Sequence, residues 1–189
     1  MPGRQIPSPA SVWAALLLAL ALPLTAAGEL PDYMDTGQSR LQLCSDQAIR
    51  AIGIFNVGHS GLYLEDCQDA ARILEPVPKQ FTLKLARQFS GEDLRQSARE
   101  LLVDNLDLDS ESDLKGSLEC LADAYVDGSD GDRFDVRYEP ASGLSFHVNG
   151  EKIVHCGNDS NSEKYFAIWF GHRPFNERLK RRLLEGAQG

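Results

Sequence analysis

Side chains that could do chemistry are sparse in this chain of 189 residues, and the most suggestive gather between Arg50 and Glu65. Arg50 opens that stretch, His59 and Tyr63 sit inside it, and the remainder is apolar and β-prone with glycines at 53, 58 and 61. A guanidinium aimed into a cavity clamps a carboxylate or polarises a carbonyl through its rigid fork of donors; aimed outward it is a rim cation. His59, between Gly58 and Ser60, suits a cavity base or a hydrogen-bonded structural histidine. Glycine weakens a strand, so three of them mark bulges or a backbone that something approaches closely. Tyr165, Phe166, Trp169 and Phe170 form an aromatic group that reads as core before it reads as a ligand platform.

Other chemistries are excluded by what the chain lacks. It has no nucleophile elbow, no P-loop, no glycine-rich dinucleotide turn and no His-Glu-x-x-His pair. The acidic run Asp107–Asp113 resembles a calcium loop only in composition. Counted from Asp107, an EF-hand needs glycine sixth and glutamate twelfth, and the chain has Ser112 and Leu118 there. No metal and no cofactor is expected. Cys44, Cys67, Cys120 and Cys156 contain no Cys-x-x-Cys pair. An even count favours two disulfides, with three connectivities open. Pairing 44 with 67 and 120 with 156 closes short loops between neighbouring elements and is preferred.

The elements that would hold these residues begin with a targeting segment. Arg4, an apolar core from Val12 to Leu24 and Thr25-Ala26-Ala27 read as a secretory signal over residues 1–27, with an uncleaved anchor as the alternative. Residues 28–40 read as a loose mature N-terminus and 41–186 as one domain, large enough for a core of its own. A periplasmic or secreted location follows, in keeping with disulfides and with no membrane span after cleavage. The net charge of -9 argues against nucleic acid and against anionic membrane surfaces.

Strands are expected at Leu41–Leu43, at Ala51–Leu64, and at Gln80–Gln88 with Phe81, Leu83 and Leu85 on one face. A short helix over Asp66–Leu74 should stop before Pro76 and Pro78. Ser90-Gly-Glu-Asp93 caps a helix of about four turns carrying Leu94, Ala98, Leu101 and Leu102, and Leu114–Tyr125 makes a second. Three strands follow around Phe134–Tyr138, Leu144–Val148 and Ile153–His155, the last two joined by the hairpin turn Asn149-Gly150. Helices over Asn161–Phe170 and from Asn176 end the chain, the latter with a solvated basic face. Segregated runs of this kind give an α+β domain with an antiparallel sheet covered by helices.

Gly61-Leu-Tyr-Leu-Glu65, Gly131-Asp132 ahead of a strand, and Ile168-Trp-Phe-Gly-His-Arg-Pro174 followed by Leu179-Lys180 have a characteristic order and spacing. Together, over about 41–184, they make the chain resemble the chalcone isomerase-like domain in its bacterial exported form. The resemblance implies an open-faced β-sandwich, its antiparallel sheet covered by a layer of helices, with a ligand cleft between. Plant enzymes of the family cyclise a chalcone to a flavanone; other members bind fatty acids or assist without catalysing.

Carried over residue by residue, the family arginine falls on Arg50, its two threonines on Gly58 and Ile168, its tyrosine on Leu94 and its asparagine on Leu101. Four of five polar roles are thereby lost, which puts catalysis in doubt. A cleft with Leu94, Leu101, Ile168 and one arginine suits a chain carrying a carboxylate. The resemblance therefore implies a non-catalytic binder of a small apolar anion such as a fatty acid, with Arg50, Gly58 and His59 beside the ligand. Two alternatives stand. One is an intramolecular lyase or isomerase acting on a chalcone-like enone, with Arg50 as catalytic electrophile and His59 or Tyr63 as proton carrier. The other is an accessory protein that docks on a protein partner.

Overall fold

A computed structural model describes residues 30–51 and 55–189. Seven antiparallel strands run in chain order: β1 (Tyr33–Asp35), β2 (Arg40–Ala51), β3 (Phe55–Leu64), β4 (Lys79–Leu85), β5 (Arg133–Glu139), β6 (Gly143–Val148) and β7 (Glu151–Gly157). Each strand pairs with the next, so every connection is local or carries the helices that cover one face. The helices are α1 (Gly91–Leu106), α2 (Gly116–Ala122), α3 (Ala167–Phe170) and α4 (Glu177–Ala187). This is the expected α+β architecture.

Of the strand expected over Ala51–Leu64, Phe55–Leu64 forms β3, while Ala51 belongs to the strand before it. β2 ends at Ala51 and β3 runs back from Phe55, so the chain reverses between them; Gly53 lies outside the described residues, as does the proposed signal segment. β2 is also far longer than the three residues expected of it. Its register slips between Leu43 and Ser45 and again between Ile49 and Arg50. Each slip shifts the alternation of inward and outward residues, which hides a twelve-residue strand from a period-two reading. Gly58 has a structural cause: a Cβ there would stand 2.2 Å from the carbonyl oxygen of Lys84 on β4.

Phe81, Leu85, Phe134, Val136, Leu144 and Phe146 turn inward under the helices and form the main core with Leu102, Leu121, Phe166 and Leu183. Ser90 caps α1 by accepting from the Asp93 amide (3.4 Å), and Asp107, in the left-handed conformation, ends it. Asn105, near its end, donates to the Arg173 carbonyl and accepts from the Arg173 amide, pinning the turn after α3. Two expected helices are shorter than their periodicity suggested. The helix expected over Leu114–Tyr125 is reduced to α2, with a separate 3-10 turn (Glu111–Asp113) in the acidic loop ahead of it, and 162–170 splits into a 3-10 turn (Ser162–Phe166) and α3. A 3-10 turn over Cys67–Arg72 replaces the short helix after β3. The disulfides are Cys44–Cys67 and Cys120–Cys156, as preferred from the sequence. The first ties β2 to that 3-10 turn; the second ties α2 to the edge strand β7.

The other sheet face is polar and curled. Ser39, ahead of β2, donates to Glu139 on β5 (3.2 Å). In a flat sheet three strand steps of about 4.8 Å would separate them, so the sheet bends round to bring them together. Inside the curl Gln80 donates to Thr82 (2.9 Å), Thr82 to Asp135 (2.7 Å) and Arg133 to Asp135 (3.0 Å). Residues 30–35 are not loose. β1 pairs with β2, Leu30 and Met34 pack with Leu41 and Tyr63, and the Tyr63 hydroxyl donates to the Pro31 carbonyl (2.8 Å).

Candidate functional site

A cavity of about 330 Å³ lies between the sheet and the helix layer. Its floor is the inward face of the sheet: Ile49, Val57, Phe81, Leu83, Phe134 and Val136. Leu94, Ala98 and Leu101 of α1 form one wall. These positions fall one helical turn apart, at i, i+4 and i+7, so a single face of α1 supplies them. Ile168 and Trp169 of α3, with Phe175 beyond it, form the other wall. Trp169 is held by stacking on Phe81, with ring centroids 4.1 Å apart and planes 15° apart, worth about 0.5–1.5 kcal/mol beyond the area it buries.

Polarity is confined to the rim. Arg87, Asp93 and Ser97 line the mouth and are exposed, whereas the floor residues Phe81, Phe134 and Val136 are at most 3% exposed. Tyr125 contributes ring surface, and its hydroxyl accepts from Tyr165 (3.3 Å). Burial pushes its pKa up to about 12, which keeps it neutral. A wide polar depression over Arg95, Arg99 and Asp123 is occupied by their own ion pairs and is no comparable container.

The sequence candidates divide sharply. Leu94, Leu101 and Ile168 come together on the cavity walls. Arg50, Gly58 and His59 are not among its lining residues. Arg50 is exposed near the end of β2, next to the cavity-lining Ile49. Gly58 is buried against the Lys84 carbonyl. His59 bonds Asp46 (2.5 Å) across β2 and β3, away from the cavity. Tyr63 lies under the N-terminal segment on the opposite sheet face, and burial drives its pKa up. Neither expected proton carrier reaches the cavity. The aromatic group is split: Trp169 lines the cavity, and Tyr165, Phe166 and Phe170 are core behind it.

Sequence reasoning missed Arg87, Phe89 and Tyr125. The first two carried a signal. Phe81, Leu83 and Leu85 alternate inward along β4, and the same parity continued past the strand end gives Arg87 and Phe89. Tyr125 was visible only as the last apolar position of an amphipathic helix.

A model of the chalcone isomerase-like family matches residues 25–185. The chain belongs to that family. Among solved structures it is similar to a fatty-acid binding protein of Arabidopsis thaliana, at 14% identity and a TM-score of 0.62, over 84% of this chain and 92% of that one. That likeness is one of fold. No curated protein sequence matches the chain.

Proposed function

We propose that this chain is a non-catalytic binding module for a small apolar anion such as a fatty acid, working in an oxidising compartment outside the cytoplasm. The observation that carries the reading is the cavity itself. It is apolar through its depth, polar only at its rim, and lined by Leu94, Leu101 and Ile168 where the family's enzymes are expected to place polar groups. Such a container rewards a hydrocarbon tail at about 25 cal/mol per Å² removed from water and offers little to a polyphenol. The structural likeness to a protein described as fatty-acid binding supports the same reading. Two disulfides and a leader-like N-terminus support export.

Native mass spectrometry of the protein, exported through its own leader and never denatured, tests the proposal. A discrete added mass that leaves as a fatty acid is the expected result. An apo spectrum that stays unchanged after incubation with dodecanoate would contradict it.

A further inference from the structure

We infer that Arg87, and not Arg50, receives the anionic head group, and that the cleft selects ligands with a single negative charge. This rests on reading the cleft as the ligand site. Burial orients the occupant: the floor is closed, so a hydrated head group must stay at the rim. Two charged side chains line that rim, Arg87 and Asp93. Asp93 is accounted for by the fold. It sits in the first turn of α1, where a carboxylate complements the positive end of the helix, and its amide donates to the Ser90 cap.

Arg87 has no such account. None of the ion pairs among the described residues involves it. Its guanidinium carbon stands 5.0 Å over the ring of Phe89, another lining residue, so the group lies along the mouth. A guanidinium held this way keeps donors for one carboxylate, in the bidentate geometry arginine favours. Asp93 then acts as a filter, because a second negative charge on the ligand would meet it across the same rim. Arg50 is exposed and does not line the cavity.

The test is isothermal titration with dodecanoate, with dodecylmalonate, which carries two carboxylates at one end, and with 1-dodecanol. Arg87→Gln should weaken dodecanoate about tenfold, the loss of one charge-assisted contact, and leave 1-dodecanol unchanged. Arg50→Gln should leave both unchanged. Asp93→Asn should narrow the preference for dodecanoate over dodecylmalonate, and an unchanged preference would remove the filter from the account. If Arg50→Gln weakens dodecanoate and Arg87→Gln does not, the assignment is overturned while the cleft stands. If equal losses of dodecanoate and 1-dodecanol follow Arg87→Gln, its role is packing and the head-group inference fails. If neither dodecanoate nor 1-dodecanol binds the unaltered protein, the cleft reading falls and takes this inference with it.

Discussion

Lys79 is fully buried on the core face of β4, where its ammonium donates to the carbonyls of Ile73 and Glu75, both at 2.6 Å, and sits 5.1 Å from the ring centres of Tyr138 and Phe166. Desolvation outweighs the nearby carboxylates of Glu163 and Glu75 and lowers its pKa to about 7. The folded value lies below the unfolded one, so between about 7 and the ordinary lysine range the unfolded chain holds the extra proton. Stability should therefore rise with pH through that window, and Lys79→Met should flatten the slope in denaturant titrations at successive pH values. His147 acts on the acid side. Burial lowers its pKa to about 4, so stability should fall as pH drops from about 6.5 towards 4, and less steeply in His147→Gln. Neither group was singled out from the sequence. Lys79 stands where a polar residue opens a strand, and nothing local distinguishes a buried lysine from a solvated one. Arg50 shows the converse: an arginine at the entrance of an apolar stretch reads equally as a cavity cation or a rim cation, and here it is exposed and lines no part of the cavity.

Elements were legible where one local rule decided them. Asn149 and Gly150 both adopt positive φ (53° and 86°), as a two-residue hairpin requires. α1 begins at its serine cap and keeps its apolar face from Leu94 to Leu102. Elements were lost where tertiary demands overrode periodicity. β2 is hidden by two register slips, and the chain before α3 tightens into a 3-10 turn while the buried Ser162 hydroxyl meets Ser117 (2.8 Å). Gly58→Ala should cost about 1–3 kcal/mol in chemical unfolding, because its Cβ meets backbone oxygen that cannot move without parting β3 from β4. Replacing Cys120 and Cys156 together by serine should cost about 2–4 kcal/mol, and hydrogen exchange should then quicken first in α2 and β7.

On the scale of the molecule, two sheet faces have different tasks. One carries the helices and the cavity; the other curls over a polar network and is closed at one side by residues 30–35. The sequence showed the layers and the family, since segregated strands and helices and a few spaced motifs are enough for both. It showed three residues of the cavity walls, Leu94, Leu101 and Ile168. It did not show the mouth, which is built from Arg87 and Phe89 just past the end of β4 and from Asp93 and Ser97 in the first turns of α1. The cavity carries the central claim, and Trp169 reports on it directly. In a chain cut after Ala27 it is the single tryptophan, and its ring lines the cavity wall. The measurement is its fluorescence during titration with dodecanoate, in the unaltered protein and in Ala98→Leu, which fills the cavity from α1. A saturable change in the first and its loss in the second, with folding stability retained, is the predicted result. A flat response in the unaltered protein, or the same titration in both, would contradict the account.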